Sequence, residues 1–413
     1  MHEPRLYNTL TRRVEPLRPG PDGVIGIYVC GPTVYGPIHV GNARPYIVFS
    51  ILRRHLARQG RRVALVSNIT DINDRIYEAA RRAGVPSAAL AERFSAQYVA
   101  DTDRLGLGRP DLEPRVTEHL PGIVAMIGQL VDRGLAYAAG GDVYFRVGAF
   151  PGYGRLSRRR LEDMVAAEPG GAKEHPLDFA LWKGHKPDED TSWPSPWGPG
   201  RPGWHIECSA MARAALGPDV AVHGGGLDLV FPHHENEIAQ AEGATGEPLA
   251  RVWAHNEMLE LGGKMSKSVG NIVYPSDLVG KRCQWQHLRF FLIYGHYRKR
   301  LNFTDNRFRL ACGRLRRLKD AIATIEEAAG KPKRRAGAPR GADREAERWI
   351  GRLRADFESQ MDDDLQVRGA VDALVEATGE LAEQAIASRL DRAGARRALG
   401  ELRRIDSVLQ VLF

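Results

Sequence analysis

Cysteine is scarce. Cys30, Cys208, Cys283 and Cys312 are the only four in 413 residues, too few and too scattered for a disulfide-stapled fold, so free thiols or metal ligands are expected. No apolar run approaches the roughly 20 residues that span a bilayer. Met1 to Pro19 scatters arginines and has no apolar core of the kind a signal peptide needs. A cytoplasmic protein without membrane contact is therefore expected. What is abundant points the same way. A hydrophobic fraction of 43% and a charged fraction of 27% exclude a disordered, collagenous or fibrous chain. The length suits one large domain with a smaller one appended, and 44 Gly and 25 Pro imply many turns. The net charge of +8 suits a polyanionic partner such as nucleic acid, or simply a basic proteome. Its distribution is more pointed: Arg298, Lys299, Arg300, Arg307, Arg309, Arg314, Arg316, Arg317 and Lys319 face a single acid, Asp305, within one stretch.

Along the chain, Val24–Val29 reads as a strand, 30–36 as a Gly/Pro turn, 42–58 as a helix and Arg62–Ser67 as the next strand. A strand, a crossover helix and a second strand form a parallel unit of the doubly wound kind, whose ligands bind at the carboxyl ends of the strands. The loops 30–42 and 68–74 should therefore share one crevice. Residues 182–204 are polar and rich in Trp and Pro, as in an insertion that splits a nucleotide-binding fold, and regular structure is expected to resume near Val220. A Gly-rich turn at 224–226 should lead into a helix from about His233, with 252–255 a further strand. Beyond Leu288 the text reads as helical. Lys331–Arg340 is the linker candidate, and Trp349, Leu353 and Phe357 then mark one face of an amphipathic helix.

The strongest chemical signal is a pair of segments, His39-Val40-Gly41-Asn42 and Lys264-Met265-Ser266-Lys267-Ser268. A histidine at a helix start can donate to phosphate oxygens, Gly41 admits a nucleotide close to the backbone, and the helix dipole favours an anion. Lys264 and Lys267 supply ammonium groups for a pyrophosphate leaving group during attack at the α-phosphorus. Either segment alone reads better as an ordinary helix start or a solvated basic loop. In this order and strand context they indicate ATP-dependent adenylate formation.

With Tyr28-Val29-Cys30-Gly31-Pro32-Thr33-Val34-Tyr35, Asn68 through Asp74 (NITDIND), Pro202 through Ser209 (PGWHIECS), Gly224 through Gln240 (GGGLDLVFPHHENEIAQ) and Leu301-Asn302-Phe303, these segments resemble the class I aminoacyl-tRNA synthetases, and among them the cysteinyl-tRNA synthetases, nearly continuously from Leu6 to Leu318. The resemblance implies a doubly wound parallel-sheet, Rossmann-like α/β catalytic domain with an insertion, followed by a C-terminal α-helical bundle. The expected division is 1–110 and 203–285 for the two catalytic halves, 111–202 for the insertion, 286–330 for a stem-contact region, 331–345 for a linker and 346–413 for the bundle. L-cysteine, Mg-ATP and tRNA(Cys) are the implied substrates of a monomer. His39, Lys264 and Lys267 are the implied catalytic groups, and Gly41, Asn42, Lys264, Ser266 and Lys267 the implied ATP contacts. Thr70, Trp204, His223 and Asp228 are implied to shape the amino-acid pocket, although a turn cap, ordinary core or a satisfied buried imidazole would account for the last three singly.

One zinc ion per chain is implied on Cys30, Cys208, His233 and Glu237. The residue types agree, since thiolates select zinc over magnesium or calcium and positions 233 and 237 share a helical face. Without the resemblance, buried cysteines and a surface helix would explain them as well. Cysteine and serine differ by one chalcogen atom, and a simple pocket separates near-isosteres by only about 10- to 200-fold, so zinc that binds thiolate in preference to hydroxyl would make a specificity device. His234 is expected beside the metal ligands or on the nucleotide side.

Two features depart from the family pattern. Gln366-Val367-Arg368 diverges after Met361-Asp362-Asp363-Asp364-Leu365, and 408–413 ends where the bundle normally hands over to an anticodon-reading domain, which is expected to be missing. Cys283-Gln284-Trp285-Gln286 interrupts an otherwise familiar approach to Leu288. A short form leaves two alternatives to tRNA charging: transfer of activated cysteine to a small amine, as in the mycothiol-pathway cysteine ligase, or a non-catalytic RNA-binding paralogue. The first motif matches the tRNA enzymes more closely than the ligase.

Overall fold

The computed structural model describes residues 3–165, 172–260, 272–280, 283–330 and 340–413. The first hairpin, β1 (Arg5–Asn8) with β2 (Arg13–Pro16), leads into β3 (Val24–Val29), α1 (Val40–Arg58), β4 (Arg62–Ser67), α2 (Asp74–Ala83) and α3 (Ser87–Arg104). The insertion follows with α4 (Leu120–Asp132) and the strands β5 (Ala136–Ala139), β6 (Asp142–Phe145), β7 (Phe179–Gly184) and β8 (Gly200–Pro202). Then come α5 (Trp204–Leu216), β9 (Val220–Gly226), α6 (Glu235–Thr245), β10 (Ala250–Asn256), β11 (Leu259–Glu260), α7 (Pro275–Leu278), α8 (Trp285–Ile293) and β12 (Leu301–Asn302). Four long helices close the chain: α9 (Asp305–Gly330), α10 (Arg340–Asp362), α11 (Val367–Ile386) and α12 (Arg392–Leu409).

The central sheet has the order β10-β9-β3-β4, and every pair in it is parallel. The chain turns away from β3 in one direction to make β4 and in the other to make β9, so a switch point lies between β3 and β9, where ligands bind in such sheets. Alternation along β3 divides two cores: Ile25, Ile27 and Val29 join the one that includes α1 and the terminal helices, while Tyr28 joins the one that includes α5, α6 and the insertion. The inserted strands form their own antiparallel sheet, β5-β6-β7-β8.

The expected strands 24–29 and 62–67 coincide with β3 and β4. The two loops share one crevice, where Thr33 pairs with Thr70 and the Gly31 amide donates to Asn68 Oδ1 at 2.8 Å. Two local expectations are corrected. Regular structure resumes at β8 and α5 rather than near Val220, because the consecutive residues Ile206 to Ala212 make a helix buried all round behind the Trp/Pro-rich text. Gly224–Gly226 is the end of β9 rather than a turn; a Cβ on Gly224 would lie 2.1 Å from the Phe49 ring, so glycine there permits sheet and α1 to touch. The helix after it begins near His233 as expected: Phe231 is extended at φ −141°, and the chain then turns helically through His233 and His234 into α6. Of the linker candidate Lys331–Arg340, residues 331–339 lie outside the described residues and Arg340 opens α10.

Candidate metal centre and active site

Cys30 is the residue after β3 and Cys208 lies one turn into α5. His233 precedes α6 and Glu237 sits in its first turn. All four are buried, and one ligand atom from each falls within 4.8 Å of all the others. Glu237 Oε1 is 2.8 Å from His233 Nε2 and accepts from the Cys30 thiol at 3.3 Å, while Cys30 Sγ is 3.5 Å from His233 Nε2. Two sulfurs, an imidazole and a carboxylate gathered around one point are a donor set that fits zinc.

The electrostatics fit a site that must shed protons to take a cation. Burial pushes the Cys30 thiol well up, with Cys208 and Glu237 adding to it. A hydrogen bond with Cys30 outweighs burial at Cys208 and brings it down to about 6. Burial opposes the charge on His233, yet Glu237 and Cys208 raise it to about 10. For Glu237 burial is again opposed, here by His223 and His233, which hold its carboxyl well below the usual range.

A second quartet, Cys30, His223, His234 and Glu237, meets the same distance criterion. His223 Nε2 is 3.0 Å from Glu237 Oε2, with its ring 5.1 Å from Tyr28 and 4.4 Å from Trp253. His234 is braced from behind: its Nδ1 is 2.7 Å from His255 Nε2, whose Nδ1 is 2.7 Å from Thr9 Oγ1. It lies beside the Cys30, Cys208, His233 and Glu237 cluster, the first of the two places considered for it.

Thr70 is buried, accepts from Asn68 Nδ2 and donates to Glu207 Oε2, both at 3.1 Å. Trp204 is 38% exposed, with its ring 4.5 Å from that of His233. Asp228 is exposed on the short turn after β9. Trp204 and His205 open onto a cavity of about 380 Å³ whose wall also takes in Thr33, Asn73 and Lys183, from both the catalytic fold and the insertion. His39 caps α1: its Nδ1 accepts from the Asn42 amide at 3.2 Å, and Asn42 Oδ1 accepts from the His39 amide at 3.4 Å. Gly41 falls between them in the first turn. Lys264, Ser266 and Lys267 lie outside the described residues.

Sequence reasoning passed over Asn68, His205, Glu207 and His255. His205 Nδ1 is 2.9 Å from His233 Nδ1, and the burial of Glu207 raises its carboxyl well above the usual range. The available signal was adjacency: His205 and Glu207 alternate with Trp204 and Cys208 in one helical turn.

The parallel sheet split by an insertion belongs to a class I aminoacyl-tRNA synthetase, as the family model shows. Residues 16–313 match the family model described as tRNA synthetases class I (C) catalytic domain. The fold resembles the methionyl-tRNA synthetase of Mycobacterium tuberculosis in complex with methionyl-adenylate, at a TM-score of 0.68 and 17% identity over 94% of this chain and 90% of that one. It also resembles an Agrobacterium radiobacter K84 LeuRS in a ternary complex, at a TM-score of 0.67 and 12% identity over 96% and 85%. In sequence, the cysteine–tRNA ligase of Brevibacillus brevis is 46% identical over 380 residues, 91% of this chain and 80% of that protein. The cysteine–tRNA ligase of Symbiobacterium thermophilum is 44% identical over 420 residues, 99% and 87%. The chain belongs to the cysteine–tRNA ligase family.

Proposed function

We propose that the chain activates L-cysteine with Mg-ATP to give cysteinyl-adenylate and pyrophosphate, and transfers the cysteinyl group to the terminal ribose of tRNA(Cys). The observation that carries this reading is the convergence of Cys30, Cys208, His233 and Glu237 at the switch point of the sheet. A zinc ion held by these four would bind a thiolate and refuse a hydroxyl, which separates cysteine from serine beyond what shape allows.

The chain's own residues do the rest. Thr70, His223 and Trp204 line the amino-acid side, and the exposed Asp228 meets the substrate ammonium. His39, Gly41 and Asn42 offer the phosphates a capped helix start. Lys264, Ser266 and Lys267 complete the ATP side, where the two ammonium groups stabilise the leaving pyrophosphate. The cavity between catalytic fold and insertion admits the acceptor end, and exposed Arg307, Arg309, Arg316 and Arg317 on α9 meet its phosphates. Catalysis is assigned to 1–110 and 203–285, the insertion to 111–202, stem contact to 286–330, the linker to 331–345 and the bundle to 346–413. The protein works as a cytoplasmic monomer; among the described residues no helix is long and apolar enough to cross a membrane.

The test is ATP–pyrophosphate exchange with cysteine and with serine, before and after chelation of zinc. Cysteine-dependent exchange that disappears with the metal and returns on its addition is expected, and exchange equally good with serine would overturn the reading. Lys267→Ala should cut adenylation steeply and leave cysteine binding nearly intact.

A further inference from the structure

Arg44 lies in α1, just behind the His39 cap, and is 2% exposed. Among the described residues its guanidinium forms no ion pair at hydrogen-bond distance with a carboxylate. It donates instead to four main-chain carbonyls: Glu257 at 2.6 Å, Lys299 at 3.1 Å, His296 at 3.2 Å and Leu292 at 3.4 Å. Leu292 is in the last turn of α8, where unpaired carbonyls and the helix dipole favour a cation. One side chain thus joins α1, the stretch after β10 and the segment between α8 and β12.

The same segment is gripped on its other side. Asp364, buried between α10 and α11, accepts from Tyr297 Oη at 2.6 Å, Arg298 Nε at 2.8 Å and the Tyr7 amide at 2.8 Å, and lies 3.4 Å from His296 Nε2. The main chain of 296–299 therefore faces the catalytic fold while the side chains of 296–298 face the helical bundle. The Glu257 amide donates to the Tyr297 carbonyl at 2.8 Å, and β11 pairs with β12 immediately before residues 261–271, which carry the lysine motif. On the far side of that motif, the Val40 amide at the start of α1 donates to the Val273 carbonyl at 3.0 Å.

We infer that Arg44 and Asp364 are positioning residues that clamp segment 296–299 from opposite sides, so that the seating of the helical bundle sets the register between the His39 helix and the entry to the lysine-bearing segment. The inference rests on the adenylation reading for its kinetic consequence and on geometry alone for its mechanical one. A guanidinium fork can hold several carbonyls at once and an ammonium cannot. Arg44→Lys keeps the charge and loses the fork. Asp364→Asn keeps the shape and loses the charge that gathers the three side chains.

Two measurements decide it. In cysteine-dependent exchange, each variant should lower kcat by about 10- to 100-fold, the scale of an ångström-sized misplacement, with KM for cysteine within about twofold. The double variant should fall little below the worse single one, as for residues acting through one element. Independent losses that multiply in the double variant would overturn the inference. So would an Asp364→Asn enzyme of lowered Tm and unchanged kcat. Amide hydrogen exchange supplies the second measurement. Asp364→Asn should deprotect residues 256–260 and the first turn of α1, both remote from Asp364 in sequence, and deprotection confined to 360–370 would sink the clamp. This result stands whatever substrate is activated, while failure of the wild-type enzyme to exchange with cysteine would count against the adenylation reading alone.

Discussion

At the scale of single residues, the candidate metal centre has neighbours that would not themselves be ligands. His205 touches His233 through the two Nδ1 atoms, leaving His233 Nε2 directed at Glu237 and Cys30. Such supporting partners typically contribute 10- to 100-fold to metal affinity. His205→Ala should therefore weaken zinc binding by about 10- to 100-fold in competition with a chromophoric chelator, with Cys30 and Cys208 still present as ligands; unchanged affinity would show that the contact does not orient the ring. That Cys30, Cys208, His233 and Glu237 are of types suited to a metal was legible in the text, and the resemblance grouped them. His205 was not, because a histidine one residue from a tryptophan carries no mark of which nitrogen it faces until α5 and α6 are packed together.

At the scale of elements, the reading of 349–357 turned on spacing alone. Trp349, Leu353 and Phe357 are all buried on α10, and the Phe357 ring meets that of His55 on α1. Phe357→Ala should cost about 3–5 kcal/mol of stability, read as a lower urea midpoint; a loss below about 1 kcal/mol would mean that the bundle adds little to the fold. Periodicity located β3, β4 and this helix because apolar residues repeat there at the period of the element. It read Gly224–Gly226 as a turn although close approach of Phe49 makes glycine a packing requirement of the strand. Trp285, which looked like an interruption, opens α8 with its ring against Gly106, whose φ of +63° and close contact leave no room for a Cβ.

At the scale of the whole molecule, the bundle and the catalytic fold meet at Asp364. Burial raises its carboxyl, but the bonds from His296, Tyr297, the Tyr7 amide and Arg298 more than offset this and hold it below the ordinary range. A depressed native pKa stabilises above the unfolded value and is lost as pH falls through the native one. The gap in urea midpoint between the wild type and Asp364→Asn should thus be constant above about pH 5 and narrow below about pH 4. A gap that widens with acid would reverse the sign of this contribution. What the sequence determined by itself was local: which stretches pair as strands or coil as helices, and which residue types are available as candidates for phosphate, thiol or metal. Both follow from residue type and short-range period. Only the tertiary structure decided that Cys30, Cys208, His233 and Glu237 meet at one point and that Arg44 and Asp364 grip one segment, because contacts between residues hundreds of positions apart depend on how sheet, insertion and bundle pack, and no local pattern encodes that distance.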